Sequence, residues 1–276
     1  MSSCLQAKCI SPTSTRCCSF QFACRICFLA LALIVVEAVT GCRKHTQITL
    51  TVSVAASLEG TIEPVEVAYR AEHPDVVFRN NFGSSGTLAR EIENGAPVDA
   101  FLSAAEGPMN NLARQNLLAE GSRLDVLQNS LVLIAPQNSK LSSFEDLTGR
   151  NVKLIALGDP ASVPAGQYGK AVLDALGLYD KIKPKLVLGK DVRQVLTYVQ
   201  TGNADAGLVY ATDARSTSLV RSVAVAPAGT HKPIVYPAAA IASSQHGATT
   251  RAFVQFLASP QAKAIFTQHG FTIASS

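Results

Sequence analysis

The chain has 276 residues, a formal net charge of +4, 47% hydrophobic and 16% charged residues. It is too apolar for a disordered tail and too long for a disulfide-stapled miniprotein, and its length suits one or two domains. The charge is mild, there is no Trp, and aromatics make up 6% of the chain, so neither a basic face nor a base-stacking platform is expected, and no nucleic-acid partner.

Residues 1–41 read as a signal or leader segment. Lys8, Arg16 and Arg25 precede an apolar run at 26–36, which leads into V-T-G-C at 39–42. A positive start, a short apolar core and small residues make the secretory pattern. The core falls short of the roughly 20 residues that a spanning helix needs. The V-T-G-C ending resembles the lipobox of bacterial lipoproteins. That resemblance implies a lipidated Cys42, which anchors the protein to a membrane of the cell envelope. Ordinary cleavage after Gly41 and an uncleaved anchor are the alternatives. All seven cysteines lie at or before Cys42, so the rest of the chain has neither an internal disulfide nor a thiolate metal site. Residues 42–276 carry 21 basic and 19 acidic residues and are nearly neutral.

From residue 48 onward, strand and helix patterns alternate. Ile48, Leu50, Val52 and Val54 recur at period 2 and predict a strand. Leu58, Ile62, Val65 and Tyr69 follow at helical spacing, with Pro64 a potential kink. A strand at 76–82 leads into a helix marked by Leu88 and Ile92 and closed by Gly95. Short apolar strands are expected at 98–103 and 131–135, then 152–157, and a helix over 165–176. A strand at 186–188, a helix through Val192, Val195, Leu196 and Val199, and a strand at 206–210 come next. A late strand at 234–241 and helices around 253–257 and 262–268 close the chain. This alternation argues for an α/β protein with largely parallel sheets. Segments 131–136 and 231–237 are the candidate crossings between two lobes. Residues 42–128 and 236–276 then form one lobe and 129–235 the other.

Strong enzyme motifs are missing. There is no G-x-x-x-x-G-K-[ST], G-x-G-x-x-G or H-E-x-x-H, and the five histidines are scattered. G-S-S-G at 83–86 superficially matches the G-x-S-x-G nucleophile elbow, but the last Gly is displaced by one. A serine hydrolase acting through Ser85 is the outside alternative. What recurs is a strand ending in small polar residues that open a helix: at Ser57, at Ser84 and Ser85, at Pro164 and Ala165, and at Asp191 and Val192. Helix N-termini present unpaired N–H groups and a positive dipole end, so several converging on one cleft make an anion site built from neutral donors.

Seven segments carry a family resemblance: V-A-A-S-L at 54–58, F-G-S-S-G-T-L-A-R at 82–90, G-A-P-V-D-A-F-L-S-A at 95–104, G-D-P at 158–160, V-P-A-G at 163–166, D-V-R at 191–193 and V-Y-A-T-D-A at 209–214. In order and spacing they resemble the periplasmic molybdate-binding proteins of ABC importers. The resemblance implies a two-lobed periplasmic-binding-protein fold of type II, its lobes joined by two crossing segments and closing over molybdate or tungstate. It implies Ser57 and Ser85 as hydroxyl and backbone donors, Ala165 and Val192 as backbone donors, and Tyr210 as a phenol donor. All five would contact the oxyanion, none the metal directly. It further implies a permease with its ATPase as partner, a monomer and no cofactor. Relatives often carry a third Ser where this chain has Gly86. The stretch at 95–104 reads as a buried strand after a helix cap, with no binding role. Another oxyanion, sulfate or thiosulfate, is the alternative ligand. Asp159, Asp191 and Asp205 are the acidic residues that could add an unwanted acceptor to the cleft.

Overall fold

The alternation of apolar and hydroxylated residues from Ile48 onward makes β1 (Ile48–Ala55), which buries Leu50, Val52 and Val54 completely. The computed structural model describes residues 47–274; the leader reading and Cys42 lie outside them. A 3₁₀ turn at Ala56–Leu58 follows β1, and helix α1 (Ile62–Glu72) begins only after Gly60. Pro64 is therefore the third residue of the helix. Its missing N–H falls in the first turn, where no intrahelical acceptor is waiting, so no kink results. Next come β2 (Val76–Gly83), α2 (Ser85–Glu93), β3 (Ala100–Leu102), α3 (Glu106–Arg114) and β4 (Leu124–Asn129).

The middle of the chain holds β5 (Leu131–Pro136), β6 (Ile155–Gly158), α4 (Pro164–Ala175), α5 (Tyr179–Ile182), β7 (Leu186–Gly189), α6 (Val192–Gln200), β8 (Ala206–Tyr210), α7 (Ala211–Arg215) and β9 (Val220–Val225). β10 (Ile234–Ala240), α8 (Gly247–Phe256), α9 (Pro260–Gln268) and β11 (Thr272–Ile273) complete the fold. No helix among the described residues is long and apolar enough to cross a membrane.

The strands form two sheets, one in each lobe. The first is ordered β11-β4-β10-β3-β1-β2 and the second β7-β6-β8-β5-β9. The chain leaves the first sheet at Ser130, between β4 and β5, and returns through residues 226–233. Within each sheet three strands are parallel: β2-β1-β3 in the first and β7-β6-β8 in the second. The others pair antiparallel, through β10 in the first sheet and β5 in the second. The sheets are thus mixed rather than largely parallel. The strands that follow a crossing enter their sheet from the opposite end, which a βαβ pattern in sequence does not reveal. β4, β9 and α3 were not expected, because their apolar patterns are short: β4 buries only Val126 and Leu127, one on each face, β9 buries only Val220, and α3 buries Pro108, Met109 and Leu112.

Candidate functional site

In open α/β sheets, ligands bind outside the carboxyl ends of the parallel strands, where the following helices begin. Both sheets aim those ends at the same gap. Ser57 follows β1, Ser85 follows β2 and Ala104 follows β3. Across the gap, Ala165 follows β6, Val192 follows β7 and Tyr210 ends β8. The six line one narrow cavity of about 10 Å³. All are buried, at 4% exposure or less. Every residue expected to contact an oxyanion is thus brought to one place. That volume is small beside the roughly 300–1,000 Å³ of pockets for drug-sized ligands.

Each donor has a local cause. Ser84 is the N-cap of α2, its Oγ accepting the Thr87 N–H at 3.3 Å. Capping by Ser84 puts Ser85 at the first helical position, where its own N–H has no intrahelical acceptor. Pro164 occupies the equivalent position of α4 and sets its entry angle, leaving the next N–H, that of Ala165, in the cavity wall. α4 also packs so close to β6 that a Cβ on Gly166 would run into the Gly158 carbonyl. That approach links G-D-P to V-P-A-G. Asp191 caps α6 by accepting the Gln194 N–H at 2.8 Å, which leaves Val192 as its first residue.

The hydroxyls are wired into the frame. Ser85 Oγ accepts the Ala104 N–H at 2.9 Å. Tyr210 Oη donates to the Ala104 carbonyl at 3.4 Å, which joins the two lobes through one residue. Burial raises the Tyr210 phenol well above its ordinary range, and the neighbouring Tyr236 adds to this, so it stays a neutral donor. Ser57 Oγ lies 3.0 Å from the Tyr236 hydroxyl. Ala104, Tyr236 and Asn129 were not singled out in the sequence. Ala104 closes the stretch read as purely structural, and it shares the strand-then-small-residue pattern that marked the other donors. Tyr236 carried no signal beyond being a phenol in an otherwise apolar strand.

The three aspartates considered as possible acceptors are engaged elsewhere. Asp159 Oδ1 accepts the Ala161 N–H at 3.0 Å, and Asp205 Oδ2 accepts the N–H groups of Lys153 and Leu154 at 2.6 and 3.0 Å. Of the three aspartates, Asp191 alone lines the cavity, and its Oδ1 is the α6 cap. A buried carboxyl, Asp213, lies beside the site. Burial pushes it up to about 7, against the pull of Arg193 and of the Tyr210 N–H. Arg193 straps the lobes together. Its Nη2 donates to the Glu59 carbonyl at 2.6 Å, and its Nε lies 3.7 Å from the Glu59 carboxylate and 3.9 Å from that of Asp213.

A family profile described as bacterial extracellular solute-binding protein matches residues 50–272. The molybdate-binding protein ModA of Haemophilus influenzae is 40% identical over 230 residues, 81% of this chain and 89% of that protein. The periplasmic molybdate-binding protein of Azotobacter vinelandii superposes with a TM-score of 0.74 at 27% identity, covering 82% of this chain and 100% of that one. The sulfate-binding protein SubI of Mycobacterium tuberculosis shares the fold, with a TM-score of 0.71 at 18% identity over 82% of this chain and 86% of that one. The chain belongs to the bacterial extracellular solute-binding proteins, as a ModA-type member of that family.

Proposed function

We propose that the protein captures molybdate or tungstate in the interlobe cavity and delivers it to the permease of an ABC importer, which is driven by its ATPase. The observation that most directly supports this reading is that Ser57, Ser85, Ala165, Val192 and Tyr210 line one small cavity in a ModA-type chain. A tetrahedral dianion entering the cleft loses strong hydration, and its oxygens must find donors in exchange. Hydrogen bonds to a charged group contribute roughly 1.5–3 kcal/mol each. Several of them support micromolar or tighter binding, about −8 kcal/mol or better, once ordering costs are met. Neutral donors hold the anion without a buried counter-charge, so opening the lobes is enough to release it.

Closure follows because the ligand touches both sides: Ser57 and Ser85 on one lobe, Ala165, Val192 and Tyr210 on the other. In this reading residues 42–128 and 236–276 make the first lobe and 129–235 the second. In this reading the role is binding, in keeping with a family of extracellular solute-binding proteins. Solute-binding proteins of ABC importers work outside the cytoplasm. Here lipidated Cys42 would keep a monomer close to its permease.

The test is calorimetry of the mature chain with molybdate, tungstate, sulfate and phosphate, together with thermal melting. Molybdate is expected to bind one to one. At a hundredfold excess over Kd it adds about 2.7 kcal/mol of stability, which corresponds to a rise of roughly 5–10 °C for a chain of this size. No heat and no melting shift at millimolar molybdate would overturn the reading.

A further inference from the structure

Tyr236 stands behind the cavity on β10 and is 2% exposed. Its hydroxyl lies 3.0 Å from Ser57 Oγ and 3.3 Å from Asn129 Nδ2. The direction of these bonds follows from the next partner along. Asn129 Oδ1 accepts the backbone N–H of Ser130 at 2.9 Å, and a peptide N–H can only donate. The amide of Asn129 is therefore fixed with its amino end toward Tyr236 and toward Thr212 Oγ1, the latter at 2.9 Å. An amino group also can only donate, so the Tyr236 oxygen accepts from Asn129. The phenol's own proton then goes to the hydroxyl oxygen beside it, that of Ser57. A buried O–H left without an acceptor would be strongly destabilising.

We infer that Asn129 and Tyr236 form a polarity relay that holds Ser57 as an acceptor from behind, so that its own proton is presented to the cavity. This rests on the oxyanion reading of the site and assigns Tyr236 as the positioning residue for one of its donors. Ser85 reaches the same condition by a different route, because its oxygen accepts the Ala104 N–H and its proton is free. Both serine hydroxyls are then one-way donors before any anion arrives. An anion with four unprotonated oxygens matches that array, and one that carries a proton does not. The relay also spans the fold: Asn129 ends β4 just before the first crossing, Tyr236 lies just after the second, and Ser57 sits at the cavity. The direction of a donor in the site is thus set from the hinge.

A double-mutant cycle tests the relay. Tyr236→Phe removes the hydroxyl and keeps the ring, which packs edge-on against Tyr210 and Phe271 at 5.7 and 5.5 Å between centroids. Molybdate titrations are run on the wild type, Tyr236→Phe, Ser57→Ala and the double variant, with ligand-free melting to verify folding. Tyr236→Phe is expected to weaken molybdate about five- to tenfold, the range of one neutral hydrogen bond. In the Ser57→Ala background the same change should alter Kd by less than about twofold, because nothing is left to position. A purely structural Tyr236 would instead give multiplicative losses, and that result, or an unchanged Tyr236→Phe, overturns the relay. If Tyr236→Phe does not fold, Asn129→Leu in the same two backgrounds carries the same expectation. A wild type that binds sulfate and not molybdate overturns the molybdate reading alone, and the cycle is then run with sulfate. A wild type that binds none of these anions overturns both.

Discussion

The backbone N–H of Gly86 donates to the carbonyl of Ser162 at 3.1 Å, from the first turn of α2 in one lobe to the loop before α4 in the other. A Cβ at position 86 would collide with that same carbonyl. This glycine therefore sets how closely the lobes can approach at one mouth of the cleft. Arg193 bridges the lobes at a second mouth, through Glu59.

Gly86→Ala is expected to hold the lobes apart, since overpacking at a tight contact costs about 1–3 kcal/mol. Molybdate affinity should fall by roughly tenfold or more, which is about 1.4 kcal/mol. The ligand-free melting temperature should change little, because the added methyl meets only the other lobe. Small-angle scattering provides a second check: the wild type contracts on adding molybdate, and the variant contracts less. Equal contraction and equal affinity would show that the contact does not limit closure.

Removing single donors should weaken binding without unfolding the chain. Ser57→Ala and Ser85→Ala are each expected to lose roughly 1–3 kcal/mol of molybdate affinity, and Tyr210→Phe a similar or smaller amount. Phosphate should be rejected by the wild type. At neutral pH it keeps a proton that needs an acceptor, and Asp191, the aspartate in the cavity wall, is committed through Oδ1 to capping α6. Competitive calorimetry with molybdate and phosphate on all four proteins measures both effects. Phosphate binding as tight as that of molybdate would mean that an acceptor faces the ligand.

Two buried carboxyls make stability depend on pH. Glu66 rises from 4.5 to about 7, chiefly by burial and with a push from Glu63, while its bond from Asn80 and the charge of Arg70 oppose the rise. Asp213 rises from 3.8 to about 7, again chiefly by burial. A carboxyl whose folded value is raised binds its proton more tightly when folded. Its contribution is therefore complete below pH ~4 and is lost as pH rises through 7. Melting of the ligand-free protein should fall between pH 5 and 8. Glu66→Gln, which mimics the protonated acid, should recover on the order of 2–3 kcal/mol at pH 8 and little at pH 4. Removing the cation that holds Asp213 down, by Arg193→Ala, should shift part of the pH dependence upward. A flat melting profile for the wild type would show that these carboxyls titrate normally.

Replacing Cys42 by Ala should release the exported protein in soluble form if V-T-G-C directs acylation. Membrane fractionation and the mass of the mature chain read this directly. A mass and a distribution unchanged by the substitution would mean that the leader is handled in another way.

The sequence by itself carried most of the element types, though not β4, β9 or α3, and marked the residues proposed as donors. Period-2 and period-3.6 spacing is local, and so are the small polar residues that open a helix, so Ser57, Ser85, Ala165 and Val192 could be read from a few neighbours each. Tyr210 needed the family resemblance. Tertiary structure decided what those donors do together. Whether β10 runs antiparallel between β3 and β4 depends on a return from the other lobe, which no window of sequence contains. That strand carries Tyr236 to Ser57, 179 positions away in sequence, and the first crossing brings Asn129 to it. Ala104 looked like the tail of a buried strand until its N–H and its carbonyl were found on Ser85 and Tyr210. A helix cap is encoded within four residues, whereas the direction of a hydroxyl proton depends on every partner around it, and in this protein those partners come from both lobes and the hinge.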